Sequence, residues 1–147
     1  MTELLAISML VSGGLFAGGV ASIAWERLPA WRATELTDFR VAFAHTLRRV
    51  DRLQPALLVV SLLSTIGFAL DADGGARLVA LFAAAGFLAV LIGSGAFLVP
   101  IQRRLASAAE LSSPEAERLR TLWLRGHMIR TVVALAALAL AAVASTS

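Results

Sequence analysis

The 147 residues are 59% hydrophobic and 16% charged, well above the ~45–50% apolar share of an ordinary soluble domain, so the chain reads as a single integral membrane domain. Its net charge of +3 comes from arginines in two loops between apolar runs, where the positive-inside rule accounts for them and nucleic acid is not an expected partner. With no cysteine, disulfides, thiolate metal sites, Cys-linked haem and Cys nucleophiles are excluded.

Met1-Thr2-Glu3 lacks the positive charge that opens a secretory signal, so the first apolar run is expected to be a retained span. It covers about 4–24 and ends in Trp25-Glu26-Arg27, an interfacial aromatic followed by charge. Gly14 and Gly18 form a GxxxG pair that Gly13, Ala17 and Ala21 broaden, a pattern for close helix approach or for a groove that holds a substrate. Pro29 predicts a break, with Thr34 or Thr37 capping a new helix. Phe39, Phe43, Leu47, Val50 and Leu53 then recur every three or four residues, apart from Arg40, Arg48, Arg49 and Arg52, which makes an amphipathic helix at the membrane surface. Pro55 predicts a kink into span 2, about 55–70.

Asp71 to Gly75 reads as a polar turn that joins spans 2 and 3 as an antiparallel hairpin. Span 3, about 78–99, carries Gly86, Gly93, Ser94 and Gly95, and Ala89 with Gly93 makes a second small-xxx-small pair. Spans 1 and 3 are therefore expected to pack most closely. Pro100 is read as the end of span 3. Ser112-Ser113-Pro114-Glu115 starts a helix that should run through Trp123 to Arg130 into span 4, about 127–145, with Gly126 its weak point.

Six arginines lie between spans 1 and 2 (Arg27, Arg32, Arg40, Arg48, Arg49, Arg52) and six between span 3 and Arg130 (Arg103, Arg104, Arg118, Arg120, Arg125, Arg130), against Arg77 alone on the other side. Both large loops are therefore expected in the cytoplasm and both termini outside. All 13 basic residues are arginine in an alanine-rich chain, a bias that points to a GC-rich bacterial genome and hence to a bacterial plasma membrane. Lipids are the expected surroundings, and the glycine strips would serve a homo-oligomer as readily as packing within one chain.

From Thr131 onward 17 residues remain, fewer than the ~20 that cross a bilayer, so His127 and Arg130 are expected about one turn below the lipid surface. Trp123, His127 and Arg130 share one helical face. The topology delivers Glu26, then His45, Asp51 and Gln54, then Gln102, then His127 and Arg130 to the same depth. Arg130 should find a carboxylate or carbonyl partner, with Glu26 and Asp51 the candidate carboxylates.

The glycine-rich GGLFAGG of span 1, the Pro-Ile-Gln of Pro100 to Gln102, and the Trp123, His127, Arg130 pattern resemble the small four-helix membrane proteins related to anthrone oxygenases. The likeness covers nearly the whole chain. Gln102 departs from the pattern, since the family commonly has Asn there. The resemblance implies an all-α, four-helix membrane bundle with amphipathic helical extensions. It also implies oxidation of an apolar polycyclic anthrone by dioxygen as co-substrate, with no recognised cofactor. On that reading His127 is the general base, Arg130 steadies the substrate anion and Gln102 donates a hydrogen bond to the quinone-forming oxygen. Trp123, Gly14, Gly18, Gly93, Glu26, His45 and Asp51 would line the substrate site.

Two other classes of function fit the same residues. His45 and His127 could be the axial ligands of a haem, or with a carboxylate bind a metal. Alternatively, the chain is a non-catalytic accessory or packing protein of the membrane.

Overall fold

Four helices are long and apolar enough to cross a membrane, Thr2–Ala33, Gln54–Asp71, Gly74–Ala106 and Ser113–Ser145, and no strand occurs among the described residues. The protein is a multi-pass, all-α membrane bundle. The computed structural model describes residues 1–50, 53–107 and 111–147, except for the side chains of 48–50. In chain order, α1 (Thr2–Ser22) passes through a π-helical turn (Ile23–Arg27) into α2 (Leu28–Ala33). There follow α3 (Leu36–Val50) and α4 (Gln54–Asp71). Next, α5 (Gly74–Gly93) passes through a second π turn (Ser94–Leu98) into α6 (Val99–Ala106), and α7 (Ser113–Ser145) closes the bundle.

The sequence predicts a break at Pro29 and a helix end at Pro100, and neither occurs. A proline inside a helix lacks an N–H and crowds the carbonyl four residues earlier. Here the turn just before each proline is widened: Leu28 N–H reaches back five residues to Ile23 O, and Val99 N–H to Ser94 O. The extra residue makes room for the ring, and the helix continues for another turn or two. The helical stretch beyond Pro29 stops where the Thr34 hydroxyl bonds Ala30 O at 2.8 Å. Because α3 starts at Leu36, neither Thr34 nor Thr37 caps it. Pro55 lies in the first turn of α4, where its missing N–H has no ladder to break, so it starts a helix rather than kinking one.

Only Ala72 and Asp73 separate α4 from α5, a shorter link than the polar turn read from the sequence. Gly74 adopts φ +56°, a left-handed conformation that a glycine takes without steric cost. The Thr2 hydroxyl bonds the Asp71 carboxylate and ties α1 to the end of α4.

α1 packs beside α4 and α7, and α5 beside α4 and α7. Spans 1 and 3 therefore face each other across the bundle, contrary to the expectation that they form its closest pair. The tight approaches lie elsewhere. A Cβ on Gly13 would meet Ser61 Oγ at 2.8 Å, where α1 crosses α4, and one on Gly86 would meet Ala137 Cβ at 2.9 Å, where α5 crosses α7. A Cβ on Gly14, Gly18 or Gly93 would meet nothing within 4 Å. Met9, Phe16 and Phe87 fill the middle, against a seam of Ala134, Ala137, Ala141 and Ala144 on α7. Hydroxyls in this layer find partners, as hydrocarbon requires, two of them between helices: Ser8 Oγ lies 2.8 Å from Ser64 Oγ, and Ser61 Oγ donates to Met9 O at 3.3 Å.

A second apolar cluster sits at the arginine-rich end, built on Leu28, Trp31, Phe39, Phe43, Leu105, Leu119 and Trp123. Two arginines cap the short helices that follow the prolines. Arg120 donates to Thr34 O at 2.7 Å and Trp31 O at 3.4 Å at the end of α2. Arg40 donates to Leu105 O at 3.1 Å and Ser107 O at 2.6 Å at the end of α6. Each guanidinium thus meets carbonyls that have no partner within their own helix.

Gly86→Ala should lower stability in detergent by about 1–3 kcal/mol, because Ala137 cannot yield without moving α7. Gly14→Ala should stay within about 0.5 kcal/mol of wild type. Thermal unfolding followed by circular dichroism separates them, and equal losses would contradict the packing.

Candidate functional site

From Met128 to Val143 the outer-facing residues of α7 are apolar, and its inner face places Trp123, His127 and Thr131 one above another, with Arg130 beside them. His127 is fully buried, at 0% exposure. One ring nitrogen, Nε2, lies 3.0 Å from Val20 O of α1, and the other, Nδ1, lies 2.8 Å from Arg130 Nη2. These partners fix the tautomer. A guanidinium only donates and a carbonyl only accepts, so Nδ1 carries the lone pair and Nε2 carries the proton. Thr131 reinforces the junction, donating to His127 O at 2.9 Å, with its hydroxyl 3.4 Å from Val20 O.

The imidazole lies against the Trp123 ring, 4.9 Å between centroids and tilted by 30°. Trp123 in turn meets Phe43 edge-on at 4.7 Å and Trp31 at 5.8 Å. These aromatic neighbours from α2 and α3 cover the pair on the arginine-rich side and hold the ring in one orientation.

Arg130 borders two spaces. The first is a groove of about 340 Å³ lined by α5, the second π turn and α7, including Ala89, Gly93, Ser94, Gly126, Ile129 and Arg130. Among the described residues Arg130 is the one charged residue of its lining. Gly126 keeps α7 close to the second π turn, since a Cβ there would meet Leu98 Cδ2 at 2.7 Å. The second space is a crevice of about 10 Å³ lined by Thr46, Gln54, Gln102, Trp123 and Arg130 among others, about the size of one water. Gln54 Oε1 and Trp123 Nε1 on the crevice, and Ser94 Oγ on the groove, are buried and make no hydrogen bond among the described residues.

Of the residues the sequence singles out, His127, Arg130, Gln102 and Trp123 come together, and Gly93 lines the groove beside them. Gly14 and Gly18 do not join them, because they face away from the bundle. Glu26, one of the two carboxylates offered for Arg130, does not turn inward. Its side chain is 72% exposed and lies 3.6 Å from Arg27. The cause is the π turn that contains it, since each added residue rotates the following side chains by about 100°. His45 is exposed on α3, on an open groove shared with Arg40 and Ser107. Asp51 lies outside the described residues. The sequence reading missed Ser94 as a buried orphan hydroxyl, and Arg40 and Arg120 as helix caps. Only the prolines six residues after Ile23 and Ser94 mark where the π turns fall.

The paired-histidine haem arrangement is not formed by this geometry. Both nitrogens of His127 are committed, and His45 sits on an outer surface. Among the described residues no three His, Asp or Glu side chains gather as a metal site would need.

Fold and site define a small four-span membrane bundle in which a buried histidine–arginine pair borders an apolar groove. The family model for anthrone oxygenase matches residues 43–140, most of the chain, and includes Gln102, Trp123, His127 and Arg130. The chain belongs to the anthrone oxygenase family. No curated protein and no solved structure matches it.

His127→Phe keeps the ring volume and loses both hydrogen bonds. It should destabilise the bundle by about 1–3 kcal/mol, whereas the exposed His45→Phe should change stability by less than about 0.5 kcal/mol. Chemical or thermal unfolding of the two variants in the same detergent reads the difference.

Proposed function

We propose that this protein is a membrane oxidoreductase that converts an apolar polycyclic phenol or anthrone to a quinone with dioxygen. The observation that carries this is the guanidinium of Arg130, the one charged group among the described residues on the wall of a mostly apolar groove, held by a neutral histidine. Such a groove suits a flat hydrocarbon framework that develops negative charge at one oxygen. Family membership supports the same reaction class.

An anthrone has an acidic methylene opposite its carbonyl. Loss of one proton gives an anion with its charge on the carbonyl oxygen and the former methylene carbon. That anion reduces dioxygen by one electron, the radical pair joins at the carbon, and the resulting peroxide loses water. The sum is anthrone plus dioxygen to anthraquinone plus water, and the electrons pass from substrate to dioxygen with no cofactor called for. In this proposal Arg130 steadies the anionic oxygen, and His127 Nδ1, the nitrogen with the lone pair, takes the methylene proton. Gln102, in the adjoining crevice, donates to the quinone-forming oxygen, and Trp123 and Gly93 help to shape the site. We also place the protein in a bacterial plasma membrane with its arginine-rich end in the cytoplasm, on the charge asymmetry of its loops.

A second reading is favoured by one observation. Gly14 and Gly18 open onto the outer surface of α1, where a helix of a second copy or another membrane protein could approach closely. In that case the chain would serve assembly rather than chemistry.

Membranes containing the protein should consume one dioxygen per hydroxylated anthrone oxidised, above the rate of autoxidation in empty membranes. Arg130→Gln should slow that rate about 10²–10³-fold, the usual loss when an anion-stabilising donor is removed. No rate above empty membranes, with the protein present and folded, would contradict the proposed oxidation. Gly18→Leu that disperses an oligomer with no effect on oxidation would separate assembly from chemistry.

A further inference from the structure

The fixed tautomer has a consequence for the order of events. His127 can take a proton only at Nδ1, and Nδ1 is occupied by Arg130 Nη2 at 2.8 Å. Nε2 cannot substitute, because its proton is engaged by Val20 O at 3.0 Å. The ring cannot turn to present another edge, since Trp123 lies 4.9 Å from its centroid and His127 has no exposed surface. In the ligand-free protein the base is therefore covered by the very group that would steady the anion.

Arg130 has somewhere to go. Its side chain is long and half-buried, and it borders the apolar groove on one side and the polar crevice on the other. In an apolar surrounding a guanidinium binds an oxyanion more strongly than it binds a neutral imidazole nitrogen, because two opposite charges attract more strongly than a charge and a dipole where the dielectric is low.

We propose that a ligand oxygen carrying negative charge in the groove draws the Arg130 guanidinium off His127 Nδ1, so that Arg130 masks the base until a substrate is seated. This exchange rests on the oxidation proposed above. As the methylene C–H bond breaks, its electron pair remains on the substrate and is delocalised to the oxygen. The proton forms a new N–H bond at Nδ1, and Arg130 moves from the imidazole to that oxygen. Charge is conserved: the neutral pair of substrate and imidazole becomes an enolate beside Arg130 and an imidazolium whose Nε2–H still donates to Val20 O. The ligand class follows. A polycycle with an ionisable oxygen drives the exchange, and a hydrocarbon of the same shape does not.

The chain has only two histidines, His45 and His127, so nitrogen NMR of histidine-labelled protein in detergent or nanodiscs resolves both rings, with His45→Gln giving the assignment. The probes are a hydroxyanthraquinone as its phenolate and anthracene. Binding of each is measured separately by its own absorption or fluorescence. The hydroxyanthraquinone should move the His127 Nδ1 signal downfield, as loss of a donated hydrogen bond does, and anthracene should leave it in place. In Arg130→Met without ligand the signal should already lie at the downfield position. A bound hydroxyanthraquinone that leaves Nδ1 unmoved would overturn the exchange while leaving the groove as the binding site. An unshifted signal in Arg130→Met would overturn the masked starting state. If neither probe binds, the groove is not the substrate site, and both the exchange and the proposed oxidation there are overturned.

Discussion

The bond between His127 Nε2–H and Val20 O is the constraint on which the site depends. It joins α7 to its neighbour α1, closes one nitrogen of the ring and so decides what the other can do. The remaining lone pair faces Arg130, and Arg130 in turn is the only charge on the groove wall among the described residues. Position, tautomer and charge at the groove thus follow from one carbonyl. Thr131, whose hydroxyl lies near the same carbonyl, and Trp123, stacked on the ring, leave the imidazole little freedom.

The helices reach this arrangement because the prolines do not end them. At Pro29 and again at Pro100 a π turn carries the helix past the ring, and the short extensions α2 and α6 fold over the arginine-rich end. Their terminal carbonyls would be left without partners in a poorly hydrated layer, and Arg120 and Arg40 supply the donors. Trp31 on α2 and Leu105 on α6 are thereby held against Phe39, Phe43 and Trp123. The same π turns tune the site from below. One turns Glu26 outward, away from Arg130. The other places Ser94 on the groove.

Much of the fold is legible from hydropathy alone. Four apolar runs of spanning length admit few arrangements once the two basic loops share a side, and the four-residue spacing of Phe39, Phe43 and Leu47 shows which face of α3 is buried. The grouping of Trp123, His127 and Arg130 follows from helical periodicity, and Gln102 joins them because its helix ends at the same depth. Other features depend on geometry that periodicity does not encode. GxxxG at Gly14 and Gly18 has the form of a packing motif, yet the small residues used for packing are Gly13 and Gly86, because the two-residue link after α4 and the positions of Ser61 and Ala137 determine which faces meet. Glu26 is misplaced by sequence reasoning because a π turn changes the helical phase with no mark in the sequence beyond the proline that follows it. The partner of His127 Nε2 is equally hidden, since a backbone carbonyl such as that of Val20 carries no residue identity.

The most direct measurement is a double-mutant cycle on the rate of anthrone oxidation, with His127→Asn and Arg130→Met made singly and together at matched expression. If histidine and arginine act as one unit, the double variant should be about as slow as Arg130→Met alone, and the two single losses should not multiply. Losses that multiply fully would show two independent residues and would contradict the central place given to their hydrogen bond.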